Sequence, residues 1–289
     1  MIKIYSVALT HMKFIQTTTP IQICDIGAGP IDKTEFIEIL LDKTNSKIIG
    51  FEPNKDEFIK LEQSSKKKFF NYAIGDGKVH NLNICYFPGM TSVLKPNYEY
   101  LKLFHKFDEW AKILKIIPIQ TKKLDEINFD NSLDLIKIDV QGYESEVIKF
   151  GNDKIKNSLV IQTETSPIPL YENGKPFSYV CNQLENLGFN LHMFSKIHNR
   201  SFKPMIFNNS IYSGLYHLFQ LDCVFVKNFK KIDELDEENL KKLILIMFYS
   251  FKSYDFVDLL VSKLEAKTKK SYLNQYRDLV KTLKIHKLY

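Results

Sequence analysis

Arginine is nearly missing from this chain: Arg200 and Arg277 are the two among 40 Lys and Arg in 289 residues. The guanidinium group is the side chain suited to bidentate phosphate recognition. With no RNA-binding motif and a neutral body, its scarcity argues against a nucleic-acid partner. Cysteine is scarce too. Cys24, Cys85, Cys181 and Cys223 form no CxxC pair, which excludes a zinc knuckle and a dense disulfide scaffold and leaves reduced thiols as the expectation. Long apolar runs are absent: residues 243–251 make the longest in the C-terminal part, about nine residues against the roughly 20 that span a bilayer. His11 and Lys13 break up the apolar N-terminus and no small-residue cleavage site follows it, so no signal peptide is expected.

What is present is the composition of an ordinary globular protein, 44% hydrophobic and 26% charged. The net charge of +6 is not spread evenly. Residues 263–289 carry eight Lys or Arg against Glu265 and Asp278, so the whole excess sits there and the rest is neutral. Leu264, Tyr272, Leu273, Tyr276, Leu279, Val280 and Leu283 alternate with these cations in an amphipathic pattern. A helix packed on its own domain explains that pattern; a peripheral helix meeting anionic lipid is the second reading. The expected location is cytoplasmic, at most peripheral to the inner face of the membrane.

Short apolar runs at 21–26, 47–52, 69–74, 133–140, 159–163, 189–194 and 223–226 read as strands. Helical patterns at 34–42, 55–64, 144–150 and 178–187 separate several of them. Doubly buried runs joined by helical crossovers predict an α/β fold with a parallel sheet. The stretch 87–120 is too long for a plain connection and reads as a helical insertion, because the aromatic and Leu residues of 98–114 recur at helical spacing. The expected division is a domain over 1–228 carrying that insertion and a helical appendage over 229–289.

Four segments carry the chemistry. The first is Ile23-Cys24-Asp25-Ile26-Gly27-Ala28-Gly29-Pro30, a strand entering a glycine-rich turn and then a helix, where backbone can approach a ligand and free N–H groups await it. Pro30 suits a first helical turn. Dinucleotide sites want a third glycine, but Asp32 stands there. Asp25 would attract an ammonium and repel a pyrophosphate, which favours S-adenosylmethionine over NAD. The second, Gly50-Phe51-Glu52-Pro53-Asn54, ends a strand in an acid placed to accept ribose hydroxyls. The third, Asn71-Tyr72-Ala73-Ile74-Gly75-Asp76, could edge an adenine. The fourth, Asp134 to Glu144, brings Asp139 to the carboxyl end of the sheet, with Gly142 at the turn and Glu144 in the next helix's first turn.

The series DIGAG, GFEPN, NYAIGD and DLIKIDVQGYESEVIKFG resembles the FkbM family of S-adenosylmethionine-dependent methyltransferases, in order and spacing, over about 21–227. The resemblance implies the class I methyltransferase fold, a seven-stranded, mostly parallel sheet whose last strand is antiparallel. It also implies O-methylation of a small-molecule or glycan acceptor, here a hydroxyl of a cell-surface glycan or its nucleotide-linked precursor. Asp25, Gly27, Ala28 and Gly29 would hold the methionine end, Glu52 and Pro53 the ribose, and Asn71, Ala73 and Ile74 the adenine edge. Ser92, beside Thr91 in a small-hydroxyl turn, would bond the methionine carboxylate, and Asp139 would lie at the transferring methyl. Three positions depart from the pattern: Gly29 where Asn is usual, Ile31 where a later Gly is usual, and Gln141 where an acid is usual. They encourage a rival reading, a nucleoside- or glycan-binding member without turnover; an NAD-dependent oxidoreductase is the other rival.

A hydroxyl attacking a methyl carbon needs positioning and a base or metal. Asp139 is the first candidate. Glu164, ending the fifth strand, would converge on the same rim, and the two carboxylates would suit a hard divalent cation such as Mg²⁺. His80, His105 and His192 are weaker candidates for the base. Tyr98, Tyr100, Phe104, Phe107 and Trp110 could line an acceptor site, with 202–217 as a lid. Acceptor identity and oligomeric state are not legible.

Overall fold

The computed structural model describes residues 12–29, 35–129 and 131–283. Strand β1 (Ile21–Ile26) is buried at all six positions, as a strand covered on both faces must be. After α1 (Glu35–Lys43) come β2 (Ser46–Phe51), the single turn α2 (Lys55–Phe58), β3 (Lys67–Phe70), the two-residue β4 (Ala73–Ile74) and β5 (Val79–Cys85). The one-turn helices α3 (Tyr98–Leu101) and α4 (Phe107–Trp110) precede β6 (Ile113–Lys122), β7 (Leu135–Ile138), α5 (Glu144–Lys149) and α6 (Asn152–Lys156). Then follow β8 (Val160–Thr165), α7 (Phe177–Asn186), β9 (Phe189–Asn199), β10 (Leu218–Lys227), α8 (Glu237–Tyr249), α9 (Tyr254–Thr268) and α10 (Leu273–Thr282).

Seven strands form one sheet in the order β3-β2-β1-β7-β8-β10-β9. β10 runs antiparallel to both β8 and β9, while β2–β3, β1–β7 and β7–β8 pair in parallel. This is the seven-stranded sheet with an antiparallel last strand that the motif series implies. The chain winds outward from β1 to β3 and then returns to place β7 on the other side of β1. Crevices for ligands form at such a reversal, beyond the carboxyl ends of the strands.

Three expectations fail. The run 69–74 is not one strand: β3 joins the large sheet, whereas β4 pairs with β6 in a separate three-stranded sheet, β4-β6-β5. The helix expected over 55–64 lasts one turn. The insertion at 87–120 is not mainly helical. It holds a 3₁₀ turn at Pro88–Met90 and two one-turn α-helices, the second preceded by Lys106 at φ 70°, and ends in β6, which pairs antiparallel with β5. The sequence ILKIIPIQTK has the Ile-rich, largely alternating character of a half-exposed strand, and the aromatic spacing upstream concealed it. Phe104 and Phe107, expected to line an acceptor site, are core residues: they are buried with Met90, Leu101, Tyr171 and Phe219.

Contacts divide the described chain into two compact units, one of residues up to 21, 35–46 and 230 onward, the other of 22–29 and 47–229. The appendage expected from 229 on thus shares its unit with α1 and the residues before β1. Within that unit the Phe36 and Phe251 rings lie 5.3 Å apart, and the Met12 N–H donates to the Tyr249 hydroxyl at 2.8 Å. On α10, Tyr276 and Leu279 are buried. The Tyr276 hydroxyl donates to the Tyr254 carbonyl, and Arg277 grips Asp258 with two bonds of 2.9 Å. The apolar face of this basic segment is therefore occupied by α9; Lys284 and Lys287 lie outside the described residues. No helix among the described residues is long and apolar enough to cross a membrane.

In the other unit, the ends of β1, β2 and β7 are knotted at Gly27. Its N–H donates to the Phe51 carbonyl at 3.0 Å, its φ is +88°, and a Cβ there would stand 1.8 Å from the Asp139 carbonyl oxygen. Gly27→Ala must therefore part β1 from β7. Urea unfolding should show a loss of at least about 3 kcal/mol, well beyond the φ penalty alone.

Candidate active site

A cleft of about 760 Å³, counted out to its open mouth, lies over the reversal point. Gly27, Gly29, Glu52, Pro53, Ala73, Ile74, Ser92 and Asp139 line it, eight of the eleven residues expected to hold a cofactor. Its apolar side is completed by Leu82, Pro88 and Val93, Tyr143 also lines it, and Gln141 stands beside Asp139. Asp25, Ala28 and Asn71 are not among the lining residues. Pro30, Ile31 and Asp32 lie outside the described residues.

Glu52 is the acid at the end of β2. Its Oε1 accepts from the Asn54 N–H at 2.7 Å, and a Cβ on Gly29 would come within 3.2 Å of its Oε2. Gly29 thus leaves room for the carboxylate. Burial pushes the Glu52 carboxyl up to about 7; the Asn54 N–H opposes this, while the charges of Glu57 and Asp25 add to it. Asn71 has a role other than the one expected. Its amide donates to the Glu52 and Pro53 carbonyls at 2.8 and 3.1 Å, fixing the backbone under Glu52. Glu57, on α2, also lines the cleft; its Oε1 accepts from Lys60 at 2.7 Å, while its buried Oε2 has no hydrogen-bond partner among the described residues. Two carboxylates with spare acceptor capacity suit a ligand that brings hydroxyl donors, such as a ribose diol.

Asp25 does not face the cleft. It is 5% exposed and directly opposite Lys137 in the β1–β7 register, with Lys137 Nζ 3.3 Å from its Oδ1. The same ammonium lies 3.5 Å from Asp139 Oδ2 and from the Gly27 carbonyl. Ala28 is likewise turned inward, with its N–H given to the Phe51 carbonyl.

Asp139 and Glu164 do converge, through Gln141. The amide nitrogen of Gln141 donates to Asp139 Oδ1 at 2.8 Å and to Glu164 Oε1 at 3.1 Å, and Gln220 gives Glu164 Oε1 a further bond of 2.7 Å. The expected shared cation meets an amide in its place, and among the described residues no group of three or more His, Cys, Asp or Glu side chains could hold a metal. Ser92 lines the cleft, but its hydroxyl is spent on the Gln141 carbonyl at 2.8 Å. Glu144 acts locally: its Oε1 accepts from the Val140 and Gly142 N–H groups, and burial pushes its carboxyl up to about 7.

Of the histidines, His80 bonds Asp76 at 2.7 Å and lies 3.3 Å from the Tyr143 hydroxyl. His105 meets the Met205 carbonyl, and neither it nor His192 lines the cleft. The two segments expected as acceptor walls meet each other: Phe104 bridges to Phe202, and Trp110 stacks on Tyr212 at 5.7 Å. Sequence reasoning missed Lys137, Glu57 and Tyr171. The signal for Lys137 was available, a cation at an inward position of an otherwise apolar strand. Glu57 and Tyr171 carried none.

The family model described as "Methyltransferase FkbM domain" matches residues 25–191. The chain is 26% identical over 164 residues, 56% of its length, to the 2-O-methyltransferase NoeI of Sinorhizobium fredii (strain NBRC 101917 / NGR234), and the match spans 55% of that relative. Among solved structures, the methyltransferase FkbM of Methylobacillus flagellatus KT is similar over 72% of this chain and 43% of its own, at 10% identity and TM-score 0.38. The SAM-bound magnesium protoporphyrin IX methyltransferase (ChlM) of Synechocystis PCC 6803 is similar over 73% and 71%, also at 10% and 0.38. Likeness this distant adds nothing to the strand order already described.

A carboxyl whose folded-state pKa is raised costs stability as pH climbs from its unfolded value, near 4.5, to its folded one, near 7, and the cost is constant above that. Glu52→Gln removes this cost while keeping an acceptor for the Asn54 N–H. In thermal or urea unfolding without ligand, the variant should be more stable than the parent by about 3 kcal/mol at pH 8 and equal to it near pH 4. A stability gain that does not depend on pH would contradict the assignment.

Proposed function

This chain belongs to the FkbM methyltransferase family, and we propose that it transfers the methyl group of S-adenosylmethionine to a hydroxyl of a carbohydrate acceptor. The observation that carries this is the cleft rim, where Glu52 and the unpartnered Glu57 Oε2 stand together beside Gly29 at the carboxyl end of β2. Ionised acids there accept the two ribose hydroxyls. Ala73, Ile74, Leu82 and Val93 offer an apolar slot for the adenine. The bound cofactor supplies an electrophilic methyl on a sulfonium whose sulfur keeps the bonding pair when the methyl leaves.

The chain's own part is to bind, orient and take a proton. Asp139 reaches the cleft from the end of β7 and accepts the acceptor's hydroxyl proton as that oxygen attacks. Its second oxygen lies 3.5 Å from the Lys137 ammonium. Glu164 does not line the cleft and acts on Asp139 through Gln141. No step in this reading runs through a divalent cation. Carbohydrate as the acceptor class takes its support from the likeness to a 2-O-methyltransferase over about half of that relative's length. A glycan or its nucleotide-linked precursor, met at the cytoplasmic side, is consistent with this. The NAD-dependent alternative is set aside by the family match.

Calorimetric titration with S-adenosylhomocysteine should show saturable micromolar binding, with none for NAD. Affinity should fall as pH is lowered below about 7, by up to about tenfold per unit as Glu52 takes up a proton and stops accepting the diol. Glu52→Gln should weaken binding at least about tenfold at pH 8. Binding of NAD in place of S-adenosylhomocysteine would overturn the reading.

A further inference from the structure

Gln141 stands where the FkbM motif carries an acid, and every polar atom of this residue outside its own N–H has a partner. Its carbonyl accepts from Ser92 at 2.8 Å and its side-chain Oε1 lies 2.9 Å from the Tyr171 hydroxyl. Its Nε2 gives one hydrogen to Asp139 and the other to Glu164. The amide's orientation follows from these neighbours. Turned over, its oxygen would face two carboxylates and its NH₂ would face the Tyr171 hydroxyl, losing both charge-assisted bonds. Its φ of +55° is a left-handed conformation that a side chain tolerates when its surroundings over-determine it.

The position of that NH₂ group is unusual. Two acids from neighbouring strands, side by side at a sheet edge, repel unless something positive lies between them. A divalent cation coordinated by both oxygens is the common solution. Here the two N–H dipoles of one amide occupy the point where both carboxylates aim, and Gln220 supplies a third N–H to Glu164 from β10. The donors point inward at the acids, whereas a cation would require oxygens pointing inward at it.

We propose that Gln141, locked by Tyr171, is a built-in substitute for a divalent cation: its amide holds Asp139 and Glu164 together as acceptors and makes this site metal-independent. The proposal rests on the methyl-transfer reading only for its catalytic meaning, since the geometry itself does not involve the cofactor. Asp139 is the group that meets the substrate; Gln141 and Tyr171 are positioning residues. A direct consequence is that Gln141→Glu adds a third carboxylate at the same point and converts the amide-bridged pair into an oxygen-only cation site.

The test is a Mn²⁺ titration of the purified full chain followed by electron paramagnetic resonance, with S-adenosylhomocysteine binding measured in parallel as a check on fold and cleft. The wild type should bind no Mn²⁺ at this site, and EDTA should leave its S-adenosylhomocysteine affinity unchanged. Gln141→Glu should bind one Mn²⁺ and gain thermal stability as the ion is added; the double variant Gln141→Glu/Glu164→Gln should lose that site. Tyr171→Phe should leave the wild type's lack of Mn²⁺ binding unchanged but raise the Mn²⁺ affinity of Gln141→Glu, because one competing donor is gone. Stoichiometric Mn²⁺ binding by the wild type that Glu164→Gln abolishes would overturn the proposal. So would a folded Gln141→Glu protein that binds S-adenosylhomocysteine and takes up no ion. Failure of S-adenosylhomocysteine binding throughout, with the Mn²⁺ results as expected, would overturn the methyl-transfer reading and leave this one standing.

Discussion

A single buried ammonium sets the terms for the centre of the large sheet. Lys137 is 4% exposed and sits on β7 among Leu135, Ile136 and Ile138, which are wholly buried. Its charge is tolerated because Asp25 lies opposite it across the β1–β7 pair and Asp139 follows two residues later on the same edge. Removing one partner of such a pair leaves an uncompensated charge in the interior, which is far more costly than the pair is favourable. The pairing therefore acts less as glue than as a register mark. A slip of β7 against β1 by one residue would place Lys137 beside an isoleucine or a cysteine and carry Asp139 away from the cleft.

The same ammonium explains how the cleft can be so acidic. Among its described lining residues, Glu52, Glu57 and Asp139 are acids and none is basic. Burial penalises a carboxylate's charge, and the Glu52 carboxyl is pushed up to about 7 by it. Asp139 has the Lys137 ammonium behind it and the Gln141 amide beside it. A cleft with surplus negative charge and an unpartnered acceptor, Glu57 Oε2, favours a cationic ligand rich in donors. S-adenosylmethionine, with a sulfonium, an ammonium and a ribose diol, has that character, and a dinucleotide with its pyrophosphate does not. The charge preference expected of Asp25 belongs to the cleft as a whole, because Asp25 itself is paired with Lys137.

How much of this was legible beforehand follows from which interactions are local. The strands of the large sheet are apolar runs whose burial depends on their own composition, and most were readable, as was the cleft at the ends of β1, β2 and β7. What escaped depended on partners distant in sequence. β5 and β6 exist because they pair with each other, and the isoleucines of 113–119 were masked by the helical rhythm of the aromatic residues before them. Phe104 and Phe107 looked like a binding wall because nothing nearby shows that Phe219, more than 100 residues on, covers them. Ser92 lines the cleft and Asn71 lies behind it, and both have partners that the sequence did not show. Each bonds a backbone carbonyl of another site residue, which a motif's spacing cannot reveal.

The departures from the family pattern bear most directly on whether this member is active. Loss of function usually leaves a site with groups missing their partners: a glycine where a side chain closed the loop, an amide where a charge was needed. Gly29 and Gln141 show the reverse. The space left by the missing side chain at 29 is the space into which Glu52 Oε2 reaches, and a Cβ would crowd it at 3.2 Å. The amide at 141 satisfies two carboxylates and is held in turn by Tyr171 and Ser92. A neutral drift that removed an acid from 141 would leave no reason for Tyr171, on a different loop and buried, to aim its hydroxyl at the replacement. Mutual satisfaction of this kind across four segments of the chain matters energetically, because each buried polar atom left alone would cost roughly 1–3 kcal/mol. Both departures within the described residues therefore leave Glu52, Asp139 and Glu164 with room or partners, as the proposed methyl transfer requires.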